Sequence, residues 1–424
     1  MKASRTRYRV VVLAIGLAIL SYVQRVAISG AAIPISHDLH LGKEQMGLVF
    51  GAFGLAYALF EIPMGLLGDR RGVRRVLTQV VLAWSAFTAL TGAAWNLASL
   101  VTARFLFGAG EAGCFPNLTR MLSAWLPARE RVTAQALMWA CARWGGALTP
   151  PVTLFCIKWL GWRWAFVSFA LLGAVWCAVF LTWFRDDPAE HPAVNAAERK
   201  LLEASRDLTT SGADRSLLSL LCTRRVATLA LQYFCFSYVW YFYITWLPTY
   251  LREGRGQSPE SAAALAVLPL LFGGFGSLIS GLCSRWLPKR AIVCGGFLAT
   301  GVLLILFTRI HAVLPAMLIM GLASFASDLT MPISWDACVE TGGAYTATVA
   351  AAMNMMGNLG GFVAPVIGGI ILQHLGKGIK GWNLLIDTMA VAAFISAACW
   401  FTLYSKSTRP DGSCSTLGSD AITP

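Results

Sequence analysis

The sequence predicts an all-α membrane protein with twelve transmembrane helices in two six-helix bundles. Of its 424 residues, 57% are hydrophobic and 13% are charged, whereas a soluble chain carries about 25% charged residues. The apolar residues collect in blocks close to the roughly 20 residues that a helix needs to cross a bilayer. The alternating segments of about ten residues that typify a transmembrane β-barrel are missing from the sequence.

Six apolar blocks precede a polar stretch and six follow it. We therefore predict an N-terminal bundle (1–184), a cytoplasmic linker (185–224) whose middle forms a surface helix, and a C-terminal bundle (225–424) with a disordered tail from about 406. The predicted spans are 10–33, 46–67, 76–95, 98–121, 133–157, 164–184, 225–247, 262–284, 291–308, 313–334, 346–372 and 383–404.

The lysines and arginines give the orientation. With the N-terminus inside, 23 of the 34 lie in inside loops and tails, as the positive-inside rule requires. Both termini should therefore be cytoplasmic, in a multi-pass protein of the cell membrane, specifically a bacterial inner membrane. The same asymmetry accounts for the net charge of +13 without a nucleic-acid partner.

The two halves resemble each other when the sequence is shifted by about 215 residues. ARWGGALTPP (142–151) then falls on NLGGFVAPVI (358–367), and GDRRGVRR (68–75) falls on CSRWLPKR (283–290). Both matches have the same direction, which is typical of parallel six-helix repeats.

The loop between spans two and three carries a basic glycine motif, GLLGDRRGVRR (65–75). It resembles the signature of the major facilitator superfamily, and the resemblance implies a latch that stabilises the outward-facing state. Asp69 can lie at a helix N-terminus of the other half, where the dipole favours an anion. The glycines permit close approach and a tight turn. The predicted latch residues are Gly65, Asp69, Arg70, Gly72, Arg74 and Arg75.

Further segments narrow the resemblance to the anion:cation symporter family, whose members take up sugar acids and other organic anions with protons. They are RFLFGAGEAGCFPNLTRMLSAWLP (104–127), GWRWAF (161–166), WLPTYL (246–251) and MNMMGNLGGFVAPVIGG (353–369). The resemblance covers nearly the whole chain, from Tyr8 to Tyr404, and these segments stand in the order that the family shows.

Arg25 lies near the centre of span one, where a charge costs roughly 2.5 to 3.5 kcal/mol on insertion scales. It must face inward, and its guanidinium can fork two hydrogen bonds to a carboxylate. The resemblance implies that it binds the substrate carboxylate, with Tyr22 and Tyr57 as hydrogen-bond donors. A structural arginine and an aromatic packing face are the alternative interpretations.

Arg104 and Glu111 lie two turns apart on one face of span four. They form either a static ion pair or a proton switch, and the resemblance places a coupling acid here. We predict that Glu111 carries the proton with Arg104 as its partner.

Other polar residues lie inside the spans of both halves. Arg143 could contact the substrate or pair with Glu111. Asp328 could pair with an arginine across the cavity, or titrate. Asn354 and Asn358 share a face of span eleven and either line the cavity or pack helices.

These residues predict a transporter and not an enzyme. The leading hypothesis is a proton-coupled importer of an organic anion, without cofactor or metal, driven by the proton gradient and acting as a monomer in the lipid bilayer. The alternatives are an anion exchanger or efflux carrier without proton coupling, and a receptor that binds without transporting. Gln24 bears on the choice, because the resembling bacterial proteins often carry a titratable aspartate there.

Overall fold

The computed structural model describes residues 3–206, 220–247, 250–375 and 379–404, and within these ranges it is helical without strands. All twelve predicted spans fall on helices, and the predicted fold class is confirmed. The disordered tail predicted from about 406 lies outside the described residues. The helices are α1 (Thr6–Gly30), α2 (Ala32–Asp38), α3 (Lys43–Arg71), α4 (Val73–Gly92), α5 (Leu97–Glu111), α6 (Cys114–Trp125), α7 (Ala128–Trp183), α8 (Ala196–Arg206), α9 (Arg224–Thr245), α10 (Pro259–Cys283), α11 (Lys289–Arg309), α12 (Val313–Asp328), α13 (Met331–Gly342), α14 (Thr346–Leu375) and α15 (Ile379–Tyr404).

Seven helical segments of the described chain are long and apolar enough to cross a membrane by length and composition alone. Several of the other predicted spans are interrupted or carry charges. Spans five and six form α7, in which Gly161 alone departs from helical geometry, with φ of 73°. Only glycine adopts this backbone conformation readily.

Spans four and ten are each broken, which the sequence did not predict. Span four divides into α5 and α6, and α5 ends at Glu111. Span ten divides into α12 and α13, and α12 ends at Asp328. Each break therefore lies directly beside a buried acid.

The two halves meet along two main contacts, in which α3 packs against α14 and α7 packs against α10. Smaller contacts join α6 to α14 and α7 to α13. Within the first half α1 packs on α7 and α3 on α5, while α9 packs on α14 within the second. The polar side chains described below lie where these contacts converge.

The linker contains the predicted surface helix as α8, and its N-terminal end is tied to the start of α1. Glu198 is fully buried there and accepts hydrogen bonds from the Ser4 hydroxyl at 2.6 Å and from Nη1 of Arg7 at 3.0 Å. Burial alone would raise the pKa of Glu198, but these hydrogen bonds outweigh it and lower the pKa below its usual value.

Candidate functional site

A cavity with about 390 Å³ of atom-free space lies between the two halves. Its wall combines two arginines and two amides with many aromatic rings, a composition suited to a small polar ligand. The lining residues are Tyr22, Arg25, Tyr57, Phe115, Trp139, Arg143, Tyr233, Phe236, Ser237, Trp240, Tyr241, Met331, Asn354 and Asn358.

Arg25 lies at this cavity and forms an ion pair with Glu111. Nη2 of Arg25 donates to Oε1 of Glu111 at 2.9 Å, and the Ser21 hydroxyl donates to the same oxygen. The Glu111 side chain is fully buried, whereas 19% of the Arg25 side chain is exposed. Oε2 of Glu111 is buried without a hydrogen-bond partner among the described residues. One carboxylate oxygen therefore holds the arginine, and the other accepts no hydrogen bond from the described residues.

The expected pair between Arg104 and Glu111 is wrong. Arg104 is buried, but in the part of the chain that the structure describes it forms no ion pair, and its guanidinium lies over the ring of Phe107 at 4.5 Å. Helical side chains tilt toward the helix N-terminus. The Arg104 side chain thus leads away from Glu111, which lies seven residues later on the same helix.

Aromatic rings surround the Arg25 guanidinium. Its central carbon lies 5.0 Å from the ring centroids of Phe53 and Tyr57 and 5.4 Å from that of Tyr22. Such cation–π contacts hold an inward-facing arginine without satisfying its N–H donors. The Tyr57 hydroxyl is buried and has no hydrogen-bond partner among the described residues.

Arg143 pairs with Asp328 across the two halves and not with Glu111. Its Nη2 donates to Oδ1 of Asp328 at 2.9 Å, and its Nη1 donates to the Tyr22 hydroxyl at 3.1 Å. The guanidinium also stacks on the ring of Trp240 at 4.2 Å. Both charged side chains are 1% exposed, so this pair is a desolvated bridge between the halves.

Gln24 is buried away from the cavity, behind Arg25. Its amide nitrogen donates to the backbone oxygen of Phe169 at 2.6 Å, and its amide oxygen accepts from the Thr88 hydroxyl at 2.9 Å. Both ends of the amide are used, which fixes the side chain against neighbouring helices.

Asn354 and Asn358 line the cavity and also contact a buried acid of α3. The side-chain amide nitrogen of each donates to a different carboxyl oxygen of Glu61, that of Asn358 at 3.2 Å. The sequence left open whether these asparagines line the cavity or pack helices together. In the structure they do both.

The motif residue Asp69 lies at the N-terminus of α14, in the other half. Its Oδ2 accepts from the backbone nitrogen of Thr348 at 2.8 Å and from the Thr348 hydroxyl at 2.6 Å, while its Oδ1 accepts from Nη1 of Arg120 at 2.6 Å. An anion at a helix N-terminus is favoured by the free N–H groups and the helix dipole. Arg120 is a partner that the sequence did not predict.

Four other motif residues lie around the turn between α3 and α4, namely Arg70, Gly72, Arg74 and Arg75. Gly72 forms that turn with φ of 84°. The Arg74 backbone nitrogen donates to Oδ1 of Asp186 at 2.9 Å, and its side chain donates to the Leu181 backbone oxygen. Arg70 and Arg75 are exposed.

Gly65 allows α3 and α14 to touch. A Cβ atom at Gly65 would lie 2.6 Å from the Ala347 backbone oxygen, whereas one at Gly54, on the same helix, would meet nothing within 4 Å. We expect Gly65→Ala to lower the free energy of unfolding by about 1 to 3 kcal/mol through overpacking. Gly54→Ala should be neutral or slightly stabilising, because alanine favours a helix. Thermal melts of both variants in detergent measure this difference, and equal melting temperatures would contradict it.

The aromatic wall supplied by α9 was not predicted as part of the site. Tyr233, Phe236, Trp240 and Tyr241 all face the cavity. The available signal was the aromatic density of YFCFSYVWYFYITW (233–246), but such a run is equally typical of a buried packing face.

Comparisons with known proteins agree with this arrangement. The family model described as Major Facilitator Superfamily matches residues 13–365. The probable sulfoacetate transporter of Cupriavidus necator is 31% identical, over 88% of this chain and 89% of that protein. The hexuronate transporter of Bacillus subtilis is 27% identical, over 89% and 90% of the two chains. A crystal structure of the major facilitator transporter FucP in the outward conformation superposes with a TM-score of 0.75 at 13% identity, over 93% of this chain and 99% of that one.

Proposed function

The chain belongs to the major facilitator superfamily and is a transporter, and from that premise we propose that it imports a small organic anion together with protons. Relatives named for sulfoacetate, hexuronate, and galactarate or D-glucarate support an organic acid as the substrate. The protein would operate by alternating access around the central cavity, as a monomer in a bacterial inner membrane.

The observation that carries this proposal is the Arg25–Glu111 pair at the cavity wall. Arg25 is partly exposed to the cavity, and its only ion-pair partner among the described residues is a fully buried acid. A substrate carboxylate or sulfonate competes with Glu111 for the same guanidinium. We assign the proton to Oε2 of Glu111, because this buried oxygen has no other partner in the described chain.

These features define an order of steps by which proton binding is coupled to substrate binding. While Glu111 is ionised, it occupies Arg25 and lowers its affinity for an anion. Protonation removes that competition, and Arg25 can then fork two hydrogen bonds to the substrate. Release of the substrate restores the pair and favours loss of the proton. Protonation of Glu111 thus raises the affinity for the anion, and anion binding raises the affinity of Glu111 for its proton by the same factor.

The latch contributes to the conformational change of the transport cycle. Asp69, Arg120 and the N-terminus of α14 close the motif side of the half interface. We propose that this contact holds the state in which the motif side is shut, and that it breaks when the halves rock. Arg70, Arg74 and Arg75 surround it and would contact lipid phosphates.

Anion exchange without proton coupling is the second candidate. Gln24 favours it, since its amide is committed to Phe169 and Thr88 and cannot bind a proton. An exchanger needs only that substrates compete for Arg25.

Uptake into proteoliposomes separates the two candidates. With the membrane potential clamped at zero, we expect sulfoacetate or galactarate to accumulate when the outside is more acidic than the lumen. The expected limit is about tenfold accumulation for each coupled proton and each pH unit, the free-energy equivalence of one pKa unit. Transport that is equally fast without a gradient, and that strictly requires internal anion, would show an exchanger.

A further inference from the structure

Glu61 is a fully buried acid that pairs with no cation in the part of the chain that the structure describes. Glu111 and Asp328 each pair with an arginine, and Asp336 pairs with Lys289 at 2.5 Å. Glu61 is as buried as they are, yet it has no ion pair within the described ranges. A buried charge without a counter-ion is costly, so this position needs an explanation other than a static salt bridge.

Its hydrogen bonds come from the opposite half of the molecule. Asn354 donates to Oε1 and Asn358 donates to Oε2, both from α14. The orientation of Asn358 is fixed independently, because its own oxygen accepts from the Tyr241 hydroxyl at 3.0 Å and its nitrogen also donates to the Asn354 backbone oxygen at 3.1 Å. The carboxyl group therefore faces amide donors and bridges the half interface.

The groups that act on Glu61 are few. The charged ones are Arg25 on α1 and Glu111 on α5. Tyr57, one turn earlier on α3, and Tyr241 and Tyr233 on α9 also lie within electrostatic range. Helix α14, which supplies the direct contacts, contributes only neutral amides. Glu61 thus shares the electrostatic field of the proposed proton site without pairing with any of its members.

Glu61 also lies on the seam between α3 and α14. Glu61, Gly65 and Asp69 follow one another at intervals of four residues on α3, and they contact successive turns of α14 in antiparallel order. Asp69 and Gly65 hold the motif end of this seam, and Glu61 holds its cavity end.

We propose that Glu61 is a second proton-binding site, which couples protonation to the opening of the α3–α14 seam. This proposal rests on proton-coupled transport by the same cavity. When Glu61 is ionised, its two amide hydrogen bonds are charge-assisted and roughly twice as strong as neutral ones. Protonation weakens them and replaces one acceptor oxygen with a hydroxyl, so the seam can separate at its cavity end.

The test compares Glu61→Gln with its matched variant Glu111→Gln and with the double variant in proteoliposomes. With the potential clamped at zero and a gradient of one pH unit, each single variant should lower steady-state sulfoacetate or galactarate accumulation about tenfold, because each loses one proton per cycle. The double variant should not accumulate substrate at all. Counterflow exchange of the same substrate at symmetric pH should persist in Glu61→Gln, which shows that this variant is folded and binds. The same exchange is measured in parallel for the two variants that carry Glu111→Gln.

The outcomes distinguish this inference from the proposed function. If the wild-type protein accumulates nothing under a pH gradient, proton coupling itself fails. If the wild-type protein accumulates substrate and Glu61→Gln reaches the same level, Glu61 binds no transported proton while the proposed function stands. If Glu61→Gln has lost exchange too, Glu61→Asp, which keeps the acid, should recover it together with the pH-driven accumulation, and its failure to do so would overturn the proposal.

Discussion

Arg25→Ala is expected to abolish substrate binding. Truncating one partner of a buried charge-assisted contact costs about 2 to 5 kcal/mol, which corresponds to a loss of affinity of roughly 30-fold to several thousandfold. Arg25→Lys should recover only part of this, because an ammonium keeps the charge but cannot form the planar fork. Thermal-shift titrations with sulfoacetate, galactarate and a hexuronate measure the effect.

The control for Arg25 is the double variant Arg25→Ala/Glu111→Gln. Arg25→Ala alone leaves the buried Glu111 carboxyl without its cation, and the Ser21 hydroxyl is then its only donor among the described residues. The single variant therefore also carries a folding cost. The double variant removes both charges of the pair and relieves that cost. Binding should still be absent in it. Restored affinity would mean that Arg25 serves only to neutralise Glu111, and would remove it from the substrate site.

The second large effect is expected at the bridge between the halves. Arg143→Gln leaves Asp328 buried without a cation, and Asp328→Asn leaves Arg143 buried without an anion. Breaking a buried ion pair in this way costs about 3 to 5 kcal/mol. Each single variant should therefore melt well below the wild-type protein in detergent.

The double variant Arg143→Gln/Asp328→Asn should recover much of the lost stability, because two neutral amides can hydrogen-bond without an uncompensated charge. Wild-type melting temperatures in both single variants would show that the pair contributes little. A double variant no more stable than the singles would show that the loss comes from packing against Trp240 and not from charge.

The sequence alone was enough to predict the helices and the positions of the buried charged residues. The apolar blocks predict spans because the lipid core admits only hydrogen-bonded backbone, and a charge inside such a block must face inward. Arg25, Arg143 and Glu111 were all found in this way. Asp69 was placed at a helix N-terminus of the other half from its chemistry alone.

The pairing of those charges could not be predicted, because it depends on packing between distant segments. Spacing along α5 suggested Arg104 as the partner of Glu111, but the direction of the side chain points Arg104 elsewhere. Glu61 was not predicted as a site residue for a similar reason. Its donors Asn354 and Asn358 lie nearly 300 residues away, and no local pattern links them to it. The two helix breaks beside Glu111 and Asp328 also escaped prediction, because the apolar composition continues through both.

Those two breaks have an evolutionary consequence. An offset of 217 residues separates Glu111 from Asp328, close to the repeat that relates the two halves. Each ends the first segment of the fourth helix of its own half. A duplicated gene would have delivered the same helix-end carboxyl twice, and the copies have since taken different cations, one from its own half and one from the other. Inherited symmetry would thus have provided two equivalent acids, of which one now pairs with the arginine at the cavity and the other with the arginine that bridges the halves.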